Sequence, residues 1–373
     1  MVYRYLGNSG LRVSIFSFGN MIQVVGQEDN QKFMTESVRA ALDHGINFFD
    51  TAELYGLGEA EKCLGVSLKE VGVKREEIVV STKLFWGPSG ATQVSENVKY
   101  FQDKGINQVG LSRKHIIEGM NNSLARLQLD YADIVFAHRS DAFTPLEETC
   151  RAFSWLIDQG KAFYWGTSEW DADTIAEAIQ LCEKLNLHKP IAEQCQYNML
   201  VRPRFEKEYR SLFEKYRYGT TVWSPLAQGF LSGRYNDGII PDDSRFNKWD
   251  PFWGKSVADQ YLAGDKKNQL IRICKGLQMI AAEIGYTQAQ LALAWALASK
   301  DVSTLIIGFS KIEQLEENMK ALELYAKWDK TLEDRLEALL QNGPEPRVDF
   351  RQFAPTTQRR QIAVYGDHSS SQK

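Results

Sequence analysis

Cysteine is sparse and scattered in this sequence. The five thiols, Cys63, Cys150, Cys182, Cys195 and Cys274, form no Cys-x-x-Cys, so neither a disulfide framework nor a cysteine zinc site is signalled. A reducing compartment is the simplest context. The five histidines include no His-x-x-x-His pair, and no metal site is expected. Excess positive charge is lacking too: the net charge is -4 over 373 residues, which argues against nucleic acid as the main partner. No uncharged apolar run approaches the roughly 18 residues of a spanning helix, so no direct membrane insertion is expected. The opening MVYRYLGNSG is not a charged start followed by an apolar core, hence not a secretory signal. These absences together predict a cytoplasmic protein.

What is present is a rhythm. An apolar content of 43% and a charged content of 25% are those of a globular chain. Residues 3–6 and 11–14 flank Gly-Asn-Ser-Gly, a hairpin signal. Short apolar strands follow at 15–18, 46–49, 77–82, 132–137, 162–167, 191–194, 220–223 and 303–307. Helical spacing separates them, for example over 30–43, 59–71, 113–127, 146–158, 172–185 and 204–216. Helices are also predicted over 267–284, 287–299 and 311–324. Alternation of this kind demands parallel strands with helical crossovers. Eight such units predict an α/β fold, a (β/α)8 barrel with an N-terminal β-hairpin and extra C-terminal helices over residues 1–340. A polar, flexible tail is expected over 341–373. An open doubly wound sheet would carry a glycine-rich turn after its first strand, and none is there. Residues 87–110 and 235–266 are long loops, uncommon unless functional.

The strand ends carry the chemistry. In a parallel barrel the C-terminal tips converge on one rim. Here they are Asp50, Lys83, His138, Ser168, Gln194 and Ser224, with Tyr55 in the turn beyond Asp50. Taken alone, Asp50 would cap a turn and Tyr55 would pack over the strand end. A carboxylate, an ammonium and an imidazole on neighbouring tips are not explained that way. A phenol ordinarily titrates near pH 10. An ammonium beside it stabilises the phenolate, so Lys83 would activate Tyr55, Asp50 would hold Lys83, and His138 would orient a carbonyl oxygen. Such a phenol is a general acid for an oxygen gaining negative charge. Side chains cannot donate hydride, so a nicotinamide cofactor is implied.

The hairpin YRYLGNSGLRVS, DTAELYG, STK, YWGTSEW and WSPLAQGFLSGRY resemble the aldo-keto reductase superfamily. Phe85-Trp86-Gly87, GLSRKHIIEG at 110–119 and TPLEET at 144–149 resemble its branch of voltage-gated potassium channel beta subunits in particular. The resemblance implies a catalytic tetrad of Asp50, Tyr55, Lys83 and His138, and reduction of aldehyde or ketone carbonyls with NADP(H). It also implies the cofactor contacts. Asn20, Met21 and Gln27 would meet the nicotinamide side, beside Asp50 and His138. Ser168, Glu169 and Gln194 would hold the carboxamide, and Trp223 would stack near the ring. Ser224, Pro225, Leu226, Ala227 and Gln228 would follow the pyrophosphate. Arg234 and Arg245 would reach the phosphates, and Gly308, Ser310, Gln314, Glu317 and Asn318 the adenosine end. The alternative is a regulatory subunit that senses NADP(H) redox state, with a homotetrameric state and a potassium channel cytoplasmic domain as partner. The branch usually carries asparagine where this chain has His138, which favours a competent enzyme. Residues 90–109 are an insertion relative to the branch, and a long pore-plugging N-terminal extension is not expected.

Overall fold

The segment 46–50 shows in miniature how the fold is built. In the computed structural model, which describes residues 1–21, 30–88, 105–248 and 251–345, its last three residues form a strand. Phe48 belongs to a small apolar cluster inside a closed cylinder, and Phe49 to the larger core between strands and helices. Alternation then turns Asp50 inward again.

The hairpin is β1 (Tyr3–Tyr5) with β2 (Arg12–Ser14). The strands β3 (Phe16–Gly19), β4 (Phe48–Asp50), β5 (Val79–Leu84), β6 (Ala132–Ala137), β7 (Ala162–Ser168), β8 (Ala192–Gln194), β9 (Gly219–Trp223) and β10 (Thr304–Ile307) follow. All eight are parallel to their neighbours, and β10 pairs with β3 to close the barrel. Around it run α1 (Asn30–Asp43), α2 (Glu59–Val71), α3 (Arg113–Leu127), α4 (Leu146–Asp158), α5 (Ala172–Lys184) and α6 (Arg210–Tyr216). Then come α7 (Arg245–Lys248), α8 (Pro251–Leu262), α9 (Asp265–Glu283), α10 (Gln288–Ala298), α11 (Ile312–Met319), α12 (Ala321–Ala326) and α13 (Lys330–Leu340). The predicted (β/α)8 barrel with its hairpin is the fold.

The barrel interior is layered. Phe48, Val79, Ile134, Phe136 and Ala192 fill its lower part, and Leu6 and Val13 of the hairpin close that end. Two residues further along the same strands come Asp50, Ser81, His138 and Gln194, and two beyond Ser81 comes Lys83. The period of two that buries the apolar layer therefore aims these polar groups into the same cylinder, nearer its mouth. On β7 the inward position is Gly166. A Cβ there would lie 2.6 Å from the Phe136 ring, so the glycine gives that ring its space. The hairpin is stapled across the barrel by Arg4. Its guanidinium donates to the carbonyls of Leu297 (2.8 Å) and Val302 and to the Tyr325 hydroxyl (2.8 Å).

Several boundaries differ from the sequence reading for local reasons. The third barrel strand begins at Val79, not residue 77, because Arg75–Glu77 is a 3-10 turn. There Arg75 pairs with Asp133 at 2.6 Å. The helix expected over 204–216 opens with a wide π turn, Arg204–Glu208, before α6. Helix 311–324 breaks at Lys320 into α11 and α12. The loop expected over 235–266 holds α7 and α8. Pro251 is the first residue of α8, where its fixed φ suits a helix and its missing N–H costs nothing. After α13, residues 341–345 have no regular structure, and the rest of the expected tail lies outside the described residues. Residues 90–104 of the expected insertion also lie outside them. Gly110 N–H donates to the Phe85 carbonyl at 2.7 Å, closing the base of that loop.

Gly65 on α2 lies against the end of α3, and a Cβ there would come 2.1 Å from the Leu127 carbonyl oxygen. Backbone cannot yield as a side chain does. Gly65→Ala is therefore expected to cost at least about 1–3 kcal/mol, read as a lower urea midpoint with an unchanged slope.

Candidate active site

The chemistry begins with a buried ion pair. Lys83 Nζ donates to Asp50 Oδ2 at 2.6 Å, with the Lys83 side chain fully buried and that of Asp50 3% exposed. A second donation goes to the Thr51 carbonyl at 2.7 Å. Asp50 Oδ1 in turn accepts from Ser81 Oγ (2.6 Å) and Gln194 Nε2 (3.0 Å). Neither charge is left uncompensated, as burial at this depth requires. Burial alone would push the Lys83 ammonium toward neutrality. Asp50 and Tyr55 together outweigh it and hold its pKa above the ordinary lysine value.

Tyr55 reaches this pair from a turn. Beyond β4 the backbone keeps pairing with β5, through Thr51 N–H to Ser81 O (3.0 Å) and Glu53 N–H to Lys83 O (3.3 Å). A 3-10 turn, Tyr55–Gly58, follows, with Gly56 (φ 55°), Leu57 (φ 59°) and Gly58 (φ 90°) all left-handed. This reversal brings the Tyr55 ring back over the rim, its centroid 4.6 Å from Lys83 Nζ. The His138 ring meets it edge-on, with centroids 6.0 Å apart and planes at 80°. Burial, then the cations Lys83 and Arg139, depress the His138 pKa well below the usual imidazole value. The ring is therefore neutral at neutral pH and able to donate from one nitrogen.

Two supporting residues escaped the sequence reading. Glu53 is fully buried, and its Oε1 accepts from the N–H groups of Phe85 and Gly87, each at 2.8 Å. His115 Nε2, on α3, lies 3.1 Å from the same oxygen. The carboxylate thus anchors the chain just past Lys83. The only sequence marks of Glu53 and His115 are their places inside DTAELYG and GLSRKHIIEG.

The other predicted residues that are described stand at or beyond the ends of the strands. Asn20 is buried at the tip of β3, donating from Nδ2 to Ala60 O (2.8 Å), while its Oδ1 is without a partner among the described residues. Met21 follows, exposed; Gln27 lies outside the described residues. Ser168 at the end of β7 is in register with Gln194 at the end of β8. Glu169 is left-handed (φ 58°) and turns its carboxylate to the Trp223 indole N–H at 2.8 Å. After Trp223 the chain coils through Ser224 (φ 54°), Pro225, Leu226, Ala227 (φ 49°), Gln228 (φ 59°) and Gly229 (φ 98°). Left-handed residues in such a run curl the backbone into a cradle at the rim. Arg234 is exposed and pairs with Asp243. Arg245 opens α7, its side chain outside what is described. Gly308 and Ser310 stand between β10 and α11, Ser310 N–H donating to Gln314 Oε1 at 2.9 Å. Glu317 and Asn318 lie one turn further along α11, with Asn318 buried.

The family model described as "Aldo/keto reductase family" matches residues 17–337. The chain belongs to the aldo/keto reductase family. A rice (Oryza sativa subsp. japonica) protein named "Probable voltage-gated potassium channel subunit beta" is 43% identical over 351 residues, covering 94% of this chain and 100% of the relative. An Arabidopsis thaliana protein of the same name is 42% identical over 351 residues, with the same coverage. An aldo/keto reductase barrel carries oxidoreductase chemistry at its strand tips, and the polar rim just described occupies that place. No helix among the described residues is long and apolar enough to cross a membrane.

Removing one half of the buried pair tests the electrostatics. Asp50→Asn should cost about 3–5 kcal/mol by chemical denaturation at neutral pH, since it strands a buried ammonium. The raised Lys83 pKa also sets a sign: the stability it contributes is present below the ordinary lysine pKa and is lost as pH rises through the higher folded value. Asp50→Asn should flatten that alkaline fall. For His138 the sign is opposite. Its depressed pKa makes the folded state resist protonation, so stability falls as pH drops below the ordinary histidine value. Nitrogen NMR of the ring should show it neutral through that range.

Proposed function

We propose that this aldo/keto reductase is an NADPH-dependent reductase of aldehyde or ketone carbonyls. The observation that carries the reading is the meeting of Tyr55, Lys83 and His138 at one barrel mouth, with Asp50 locked behind them. When bound, the nicotinamide supplies the hydride. The chain's own residues supply the rest. The Tyr55 hydroxyl and the His138 ring hold the carbonyl oxygen between them, and Tyr55 passes its proton to that oxygen as negative charge develops. Lys83 stabilises the phenolate left behind, and Asp50 keeps Lys83 charged and still. A neutral His138 donates a hydrogen bond without competing for the proton.

The rim fits the dinucleotide. Asn20 Oδ1 and His138 Nδ1 are buried without partners among the described residues, as expected of a mouth that receives a polar ligand. Ser168, Gln194 and Asn20, with Asp50 and His138 beneath, would take the nicotinamide end. Trp223 would flank the ring, and the cradle from Ser224 to Gln228 would follow the pyrophosphate. Arg234 and Arg245 would favour an additional phosphate, hence NADP(H) over NAD(H). The loop between Gly308 and Ser310, with Gln314, Glu317 and Asn318, would take the adenosine end.

The names of the rice and Arabidopsis relatives favour a second, compatible reading, a beta subunit docked on a voltage-gated potassium channel; a homotetrameric state and a response to cofactor redox state are part of the same proposal. Co-purification with the cytoplasmic domain of such a channel would support it. A protein that stays solitary in pull-downs and in light scattering would count against it.

Tyr55→Phe removes the proton and little else. Aldehyde-dependent oxidation of NADPH should fall about 10²–10⁴-fold, while the Kd for NADPH stays within about twofold, the lost hydroxyl being aimed at the substrate. Full turnover in this variant would overturn the acid assignment.

A further inference from the structure

We propose that Glu169 serves the dinucleotide as a positioning residue, by fixing the plane of the Trp223 indole, and not as a direct ligand of the carboxamide. The inference rests on the reading that NADP(H) binds beside Trp223.

The carboxylate is already committed. Oε1 accepts from Trp223 Nε1 (2.8 Å) and from the Gln196 N–H (2.6 Å). Oε2 accepts from Arg204 Nη1 at 3.0 Å, and the same nitrogen also donates to the Glu169 carbonyl at 3.2 Å. An ionised carboxylate is an acceptor only, so it has nothing to give a carboxamide oxygen. Only Oε2, with one acceptor position beyond the Arg204 bond, could take a carboxamide N–H, whereas Oε1, the oxygen that holds the indole, already accepts twice. The left-handed backbone at Glu169 (φ 58°) sets the direction of its side chain. Ser168 and Gln194 stand in register beside it, the Gln194 amide nitrogen held by Asp50 and Thr221.

Trp223 is held at both ends. Its backbone N–H donates to Cys195 O at 3.0 Å, and it bridges Gln196 in parallel. Those bonds place the backbone but leave the indole free to swing about its side-chain torsions. The bond from Nε1 to Glu169 removes that freedom before a ligand arrives. A stacking surface ordered in advance need not be ordered on binding, and the saving appears as affinity. Arg204, which also faces Asp171 and Glu208, offsets part of the charge of Glu169 and pins its carboxylate from the side away from the indole.

A double-mutant cycle on the full-length protein tests this, with NADPH affinity read from the fluorescence of the bound nucleotide. Melting temperature is measured alongside. Glu169→Ala should weaken NADPH binding about tenfold, and Trp223→Phe by a similar factor. Adding Glu169→Ala to Trp223→Phe should change affinity by less than about twofold, because the clamp has nothing left to hold. Glu169→Gln keeps an acceptor for the indole N–H and should restore affinity to within about threefold. If Glu169→Ala does not fold, Glu169→Met keeps the volume and serves in the same cycle. Losses that simply multiply in the double variant would overturn the proposal in favour of direct contact. An unchanged affinity in Glu169→Ala would overturn it as well. Failure of the unaltered protein to bind NADPH would remove the functional reading, and this inference with it. Binding with independent losses would remove this inference alone.

Discussion

A lysine with no exposed surface has to be answered by charge, and much of the barrel mouth is arranged to answer Lys83. The carboxylate of Asp50 supplies the counter-charge at 2.6 Å. Ser81 and Gln194 satisfy that carboxylate, and Tyr55 lies against the ammonium from above. These residues come from β4, β5, β8 and the turn after β4. A buried ion pair seldom adds net stability over a well-packed apolar substitute. Here its yield is chemical: a permanently charged ammonium in a dry place beside a phenol. The same positive charge helps keep His138 neutral.

The barrel makes this arrangement tolerable. The lower interior is filled by apolar side chains, which keep water from the pair on that side. The polar residues sit on strands whose hydrogen-bond ladders fix them in register, Asp50 opposite Ser81 and Lys83 opposite Phe136. Position is then a property of the sheet, and little side-chain freedom remains to be lost when a substrate arrives. The site's looser partners are in loops. Even there, Glu53 ties the segment after Lys83 back to α3.

How much of this could be seen in the sequence follows from what is local. Apolar runs that stop on Asp50, Lys83 and His138 are short-range signals. The parallel topology follows from their alternation with helices, so the barrel and the four residues at its mouth were legible. The Glu53–His115 contact and the Glu169–Trp223 bond join residues 62 and 54 positions apart. Nothing near Glu53 or Glu169 in the chain announces either partner. Helix α8 was hidden for a different reason. Pro251 and its aromatic neighbours suggest an irregular loop, and only the position of the proline at the first helical residue reconciles it with a helix. The turn at Arg75–Glu77 was missed because Glu77 adjoins a β-branched run, and a strand's first residue is set by its neighbour, not by its own preference.

The staple made by Arg4 has a consequence for how the molecule is born. Its partners, Leu297, Val302 and Tyr325, leave the ribosome 293, 298 and 321 residues after it. The barrel seam between β3 and β10 carries the same delay. During synthesis the hairpin and β3 must wait, unsealed, while the rest of the barrel is made. Contacts of such long span slow the final step of folding and leave apolar edges uncovered meanwhile. The nascent protein spends its vulnerable period as an open, unclosed stave-work, and a holding chaperone would find its grip there.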